Sequence, residues 1–232
     1  MSVTKRIEEC IIYQDEAIIV CHKPAGLAVQ TRDVTEADME SLLKNYRVTQ
    51  KEEPYVGVIH RLDQPVEGLL VFAKTPGAAA VLSKQLQREQ FTKVYYAVVE
   101  GRKLPDEDTL EDDIAKDTKH HKAVRARKGS VGAKHARLHF RKLAETENEQ
   151  LLEIRLETGR FHQIRLQFSC REAPIVGDVK YGAKRTGEPL CLCAGCLTFS
   201  HPLTGEAMQF RIRPEGSGFR RFSNETMWQS LV

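Results

Sequence analysis

No stretch of this 232-residue chain approaches the roughly 18–20 consecutive apolar residues that a membrane span needs, which excludes a helical membrane protein. Met1 to Cys10 has no apolar signal core and carries Glu8 and Glu9, so a secretory leader is not expected. There is no phosphate-cradling Walker loop, no Gly-x-Gly-x-x-Gly and no Gly-x-Ser-x-Gly, which removes three common catalytic frames. Internal repeats, low-complexity tracts and obvious linkers are missing too. The six cysteines are scattered except at 191–196. That usage fits reduced thiols and a cytoplasmic setting. The net charge of +3 is too mild to imply a nucleic-acid partner by itself.

What is there is ample apolar material, 41% of residues, enough for one large domain or two subdomains sharing a core. Ile11–Tyr13 and Ala17–Cys21 read as short strands around an acidic turn, and Leu27–Val29 as a strand resuming after Lys23-Pro24-Ala25-Gly26. Residues 37–46 have helical spacing. Thr75-Pro76 is an N-cap followed by a proline at the first helical position, opening a helix to about Gln90 with Ala80, Leu82 and Leu86 on its apolar face. Further strands are expected at 91–100, 136–143, 151–156, 190–199 and 208–212, and a short helix at 161–170. Strands outnumber helices without strict alternation. The fold class is therefore α+β with a mixed, largely antiparallel sheet, and 1–232 is taken as one domain.

Residues 60–75 place one carboxylate, Asp63, on a polar turn before the apolar run Gly68–Ala73. An Asp beside Arg61 serves either chemistry or a structural ion pair, and spacing alone leaves both open. Arg160 and Arg165 follow the Thr158-Gly159 break and could orient a carboxylate. Tyr95 and Tyr96 leave one strand by opposite faces. Cys191, Cys193 and Cys196 fall in a strand, where alternation of faces makes three ligands converge poorly, so no metal site is expected. From Lys119 to Lys142 there is no acidic residue, and Lys122, Arg125, Arg127 and Lys128 lie there. A one-signed run attracts phosphates. Gly129-Ser130-Val131-Gly132 reads as a hairpin turn that would project the run on a ribbon. The acidic stretch just upstream, Asp106 to Asp117, reads as solvated surface.

In order, these segments resemble the RluA-type family of RNA pseudouridine synthases. Lys23-Pro24-Ala25-Gly26 resembles the family's opening loop, and His60-Arg61-Leu62-Asp63 its catalytic motif. Lys93-Val94-Tyr95-Tyr96-Ala97 resembles its Lys-x-Tyr-x-Ala motif. The third motif is matched by 158–165 together with Pro174-Ile175-x-Gly177-Asp178-x-x-Tyr181-Gly182, and the closing hairpin by His201 to Glu206. The resemblance implies the pseudouridine synthase catalytic fold, two subdomains with flanking helices and a central cleft. It implies isomerisation of specific uridines in ribosomal or transfer RNA. Asp63 would either attack C1′ of the ribose or take a proton from C2′. Arg165 would pair with Asp63, and Tyr95 would stack on the target base and assist proton transfer at C5. Arg61 would fill the gap left by a flipped uridine, with Arg160 and His162 also on the RNA. No metal or organic cofactor is implied, and the chain is expected to be a monomer with no membrane partner. Many relatives carry an N-terminal S4 RNA-binding domain; here the chain is expected to be the catalytic fold alone.

The chain departs from the family at three places. Val66-Glu67-Gly68 stands where Thr-Ser-Gly is usual, so Glu67 is expected to add a negative charge near RNA. Glu172 stands where a helix-ending Gly is usual, and Cys193 where a His is common. Two other readings remain. One is a non-catalytic RNA-binding protein on the same fold, using segment 119–142. The other is a nucleoside glycosidase pairing Asp63 with Glu67 or Asp178.

Overall fold

A computed structural model describes residues 6–33, 35–184, 187–222 and 225–231. In chain order it contains α1 (Ile7–Cys10), β1 (Ile11–Gln14), β2 (Ile18–Lys23), α2 (Met39–Thr49), β3 (Gly57–Val58), β4 (Glu67–Ala73) and α3 (Pro76–Gln87). These are followed by β5 (Thr92–Glu100), β6 (Glu107–Asp117), β7 (Lys122–Arg125), β8 (Lys134–Glu145), β9 (Glu149–Leu156), α4 (Gln163–Ser169), β10 (Leu192–Ser200), β11 (Ala207–Arg211) and α5 (Glu225–Leu231). The chain divides into two compact units, 1–92 with 194–212 and 93–193 with 213–232. The class is α+β, and most of the regular structure is strand.

In the first unit β2 pairs with β1 and β4, β3 with β4, and β10 with β11, all antiparallel. β2 and β4 are apolar on both faces, so every residue of β4 is buried. Ile18, Val20, Leu69, Val71 and Ala73 pack with Ala78 and Leu82 of α3 and with Leu197 and Phe199. α3 starts where the sequence predicts: Thr75 Oγ1 accepts the Ala78 N–H at 3.2 Å and Pro76 follows. Its inward face uses Ala78, and Ala80 is exposed, because 78 and 82 lie one turn apart. α2 is opened by a capping box in which Asp38 accepts from Ser41 N–H at 2.7 Å and Ser41 Oγ accepts from Asp38 N–H at 3.2 Å. Leu27–Val29 does not form a strand. Ala28 makes one isolated bridge to Asp38, since residues 24–27 are drawn in by the buried Lys23 side chain.

In the second unit the strand order is β5-β9-β8-β6-β7, antiparallel at each step. Phe140 of β8 meets Phe168 of α4 edge-on at 5.5 Å, and Tyr96 of β5 meets Trp228 of α5 likewise at 5.2 Å. The acidic stretch forms a strand, β6, seated between β7 and β8; Asp106, Asp108 and Glu111 are exposed, as solvated surface requires, and Asp112 alone of its acidic residues is buried. One sequence expectation is corrected in this unit: residues 129–132 are not a hairpin turn. β7 pairs with β6, so segment 126–133 crosses β6 to reach β8, through two tight turns with Gly129 and Gly132 each at φ 79°. The turn between β6 and β7 lies at 118–121.

Gly68 is at φ 137°, and a Cβ there would lie 2.5 Å from the Ala194 amide nitrogen. Gly68→Ala is expected to lose roughly 2–4 kcal/mol of unfolding free energy in urea. Gly132→Ala, with φ 79° and no atom within 4 Å of the new Cβ, should lose about 1 kcal/mol. Equal losses would refute the steric account.

Candidate active site

The chain leaves β3 and returns into β4 through residues 59–66, with Gly57 opposite Ala73 and Val58 opposite Phe72. Apolar anchors fix this loop from below. Leu62 and Val66 are buried, each contributing roughly 1.5–3 kcal/mol of transfer free energy. His60 Nε2 accepts the Val71 N–H at 3.3 Å and its ring meets Phe91 edge-on. The Val66 N–H donates to the Asp63 carbonyl at 3.0 Å, closing a turn. Arg61 is exposed and Asp63 half-buried, so the carboxylate sits at the rim of an anchored loop.

The residue that organises this loop is one to which the sequence motifs give no role. Lys23, the last residue of β2, is 0% exposed. Its ammonium donates to the carbonyls of Pro24 at 2.9 Å, Leu27 at 2.8 Å and Gln64 at 3.1 Å. All three of its N–H donors are thereby used. The Gly26 N–H donates to the Gln64 carbonyl at 2.8 Å, and Gln64 Nε2 donates back to the Gly26 carbonyl at 3.1 Å. The Lys-Pro-Ala-Gly loop and the Asp63 loop are thus fastened together beside Asp63. Burial pushes the Lys23 ammonium down to about 8, against the opposing pull of the Asp63 and Glu67 charges. The sequence signal is a lysine ending an otherwise apolar strand.

Glu67 belongs to the same arrangement. It opens β4 at 6% exposure, with its carboxylate 3.9 Å from His22 Nε2. Its carboxylate lies inward, beside His22 and within the electrostatic reach of the Lys23 ammonium.

In the second unit, Thr158 to Arg165 is a knot of side chain and backbone. Gln163 Oε1 accepts from Thr158 Oγ1 at 2.8 Å and from the Arg160 N–H at 3.0 Å. Arg160 Nε donates to the His135 carbonyl at 2.8 Å. His162 takes a left-handed conformation, φ 50°, so α4 begins at Gln163 and not at 161. Arg165 is buried on α4. Its Nε and Nη2 donate to Asp178 Oδ2 and Oδ1 at 2.7 and 2.8 Å, a bidentate pair with a carboxylate that is 1% exposed. Asp178 thus orients an arginine, which leaves it poorly placed for the second-carboxylate role of a glycosidase. A guanidinium only donates, so His162 Nε2, 3.2 Å from Arg165 Nη1, accepts. That leaves the ring proton on Nδ1, 2.9 Å from the Tyr181 hydroxyl.

Tyr95 lies on β5 opposite Ile154 at 8% exposure. Its neighbour Tyr96 is fully buried against Trp228, as alternation requires. Near Tyr95, burial lowers the pKa of Lys93 from its ordinary value. Arg160, His162 and Arg165 are therefore gathered in the second unit, while Asp63 and Arg61 lie in the first with Lys23. Cys193 and Cys196, three residues apart in β10, are buried; among the described residues no group of three or more His, Cys, Asp or Glu is arranged to hold a metal.

The basic run is one-signed in sequence but not in space. β6 and the residue before it bring carboxylates to it: Asp112 to Arg125 at 3.1 Å, Glu111 to Arg137 at 2.8 Å and Asp106 to Lys142 at 2.7 Å. Asp112 also pairs with Arg171. Arg127 and Lys128 are exposed and Lys122 half-buried, with no acidic partner for the three among the described residues.

The Lys23 geometry sets a sign. Its pKa in the folded chain lies below the ordinary 10.5. Below pH about 8 the fold therefore carries the full cost of a buried ammonium, on the order of 3 kcal/mol. That cost is relieved as pH rises from about 8 to 10.5. Wild type should gain urea stability relative to Lys23→Met across that window. Activity should fall over the same window, because a neutral amine has two N–H donors for three carbonyls. A pH-independent stability difference would refute the assignment.

A family model described as RNA pseudouridylate synthase matches residues 17–170. The uncharacterized RNA pseudouridine synthase YlyB of Bacillus subtilis is 33% identical over 208 residues, covering 86% of this chain and 67% of that protein. Ribosomal large subunit pseudouridine synthase D of Vibrio cholerae is 34% identical over 219 residues, covering 86% of this chain and 65% of that protein. The chain thus spans about two thirds of the length of these curated relatives. Human RNA pseudouridylate synthase domain containing 4 superposes with a TM-score of 0.76 at 24% identity, over 90% of each chain, a likeness in fold. With the family model covering most of the chain and these identities over 86% of it, the chain belongs to the RNA pseudouridylate synthase family, of the RluA type.

Proposed function

We propose that this chain isomerises uridine to pseudouridine in RNA, with Asp63 as the catalytic carboxylate. The observation that carries the reading is Asp63 itself: a half-buried carboxylate on a loop anchored by Leu62 and Val66 and fastened by the buried Lys23 ammonium. In the reaction the N1–C1′ bond breaks, the uracil turns, and a C5–C1′ bond forms. C5 loses its proton and N1 gains one. Two routes are open to the carboxylate, attack on C1′ or removal of the C2′ proton, and both use its ionised form. Tyr95 supplies an aromatic face for the detached ring, and its hydroxyl serves proton transfer at C5. Arg61, exposed beside Asp63, suits the gap a flipped base leaves in the stack. Arg165, aligned by Asp178, supplies a fixed cation.

Ribosomal RNA is the favoured substrate over transfer RNA, because several relatives, including the Vibrio cholerae protein, are named as acting on the large ribosomal subunit. Among the described residues no helix is long and apolar enough to cross a membrane. Arg160 lies beside the arginine-bearing helix. On the β7 side, Lys122, Arg127 and Lys128 are the cations with room for phosphates.

Mapping pseudouridine after incubation with ribosomal and transfer RNA tests the reading. Wild type should modify ribosomal RNA, and Asp63→Asn should lose at least about a thousandfold in rate. A variant of undiminished rate removes Asp63 from the chemistry. A non-catalytic RNA-binding protein would yield no pseudouridine with wild type. For the basic segment, neutralising Lys122, Arg127 and Lys128 together should reduce the salt dependence of RNA affinity, by up to about one unit of log–log slope for each phosphate released. Arg125→Gln, whose charge Asp112 already balances, should change that slope less. Identical slopes for all these proteins would make the patch ordinary surface.

A further inference from the structure

Phe161 is 39% exposed although it sits in the knot of residues that positions Arg165. Its ring stacks on that of His162, with centroids 3.8 Å apart and planes 20° from parallel. The His162 ring is held on both sides. Its backbone is left-handed, Nδ1 faces the Tyr181 hydroxyl at 2.9 Å, and Nε2 faces Arg165 Nη1 at 3.2 Å. An exposed aromatic ring is thereby held in one orientation by a support that is itself tied to Arg165. The Nζ of Lys116, an exposed residue of β6, lies over the Phe161 ring, 4.8 Å from its centroid. Lys116 stands opposite Ala123 of β7, and the Ala123 N–H donates to the Tyr181 hydroxyl at 2.6 Å. The ring therefore lies where the basic strand pair is fastened to the Arg165 knot.

We propose that Phe161 is a stacking platform for an unpaired RNA base, and that Lys116 moves from the ring to a phosphate when that base arrives. The platform deepens the RNA-modifying function proposed above and rests on it. Its physical basis is an exchange. A lysine over an aromatic ring in water is held weakly. A nucleobase stacked on the same ring gains more, and does so whatever its identity, because every base has a π-face. The displaced ammonium is a flexible, strongly hydrated point charge that suits a phosphate oxygen. Among the described residues no carboxylate pairs with Lys116, so no ion pair must break. The ring is already ordered by His162, so little side-chain freedom is lost on binding.

Two probes separate a base from a phosphate: a short single-stranded oligouridylate, and an abasic oligonucleotide of the same length and charge. Wild type should bind the oligouridylate about tenfold more tightly, as expected for one stacked base. Phe161→Leu should erase that preference, and Phe161→Tyr should keep it. In Phe161→Trp the indole emission should be quenched by the oligouridylate and not by the abasic strand. With ribosomal RNA as substrate, the cost of Phe161→Leu should fall on KM rather than on kcat. Equal affinities for the two probes in wild type, or a preference that survives Phe161→Leu, would overturn the platform. Those outcomes are distinct from failure of the underlying function, in which wild type itself forms no pseudouridine. Thermal melts of each variant read the fold separately, and an exposed ring predicts little change in them.

Discussion

The first unit is organised around a fully buried lysine. Three carbonyls, from Pro24, Leu27 and Gln64, point at one ammonium, and the two loops they belong to are far apart in sequence. Removing a charge from water is costly unless its donors are satisfied and an opposite charge is near. Here both conditions hold, the second through Asp63 and Glu67. The position of the Asp63 loop follows from that requirement. Chain that fails to deliver the Gln64 carbonyl leaves a buried N–H donor without its acceptor. Glu67 is involved in the same balance, which gives a physical reason for an acidic residue at the head of an otherwise apolar strand.

The second unit solves a different charge problem by register. Acidic β6 lies between β7 and β8, and antiparallel pairing sets Glu111 opposite Arg137 and Asp112 opposite Ala136. The exposed pairs that result are individually weak, about 0–1 kcal/mol. Their consequence is electrostatic pattern: Glu111 cancels Arg137, the buried Asp112 balances Arg125, Asp106 and Glu153 balance Lys142 and Arg141, and the cations near the 126–133 crossing are left to face solvent. The buried Arg165–Asp178 pair is of another kind. Its bidentate geometry fixes the direction of a guanidinium, and His162 and Tyr181 brace it.

Elements whose signal is local are legible in the sequence. Thr75-Pro76 marks a helix start through a hydroxyl and a fixed φ, and β4 and β5 declare themselves by apolar and β-branched runs. β6 is not legible because its inward row is Leu110, Asp112 and Ile114. A buried Asp in the middle breaks the apolar alternation that identifies strands. Asp112 is tolerated there only because Gln167, Arg125 and Arg171, remote in sequence, reach it. The turn expected at 129–132 fails for a related reason. Glycines report that a chain bends, not which strand it then joins. Asp63, Tyr95 and Arg165 stand out as members of an ordered motif series. Lys23 belongs to that series with no role legible from its neighbours, because its acceptors are backbone carbonyls and carry no residue code.

The fastening of Gln64 by Lys23 and Gly26 also bears on motion. Local opening of a loop is cheap when it exposes few satisfied groups. Lifting residues 59–66 away would strand a buried ammonium and break the paired Gly26–Gln64 hydrogen bonds at once, so this segment has no inexpensive excursion of its own. Its amides should report the stability of the whole unit rather than of a surface loop. Under the function proposed above, a base brought to Asp63 meets a rigid rim, and what adjusts to admit it is the RNA or another region of the chain.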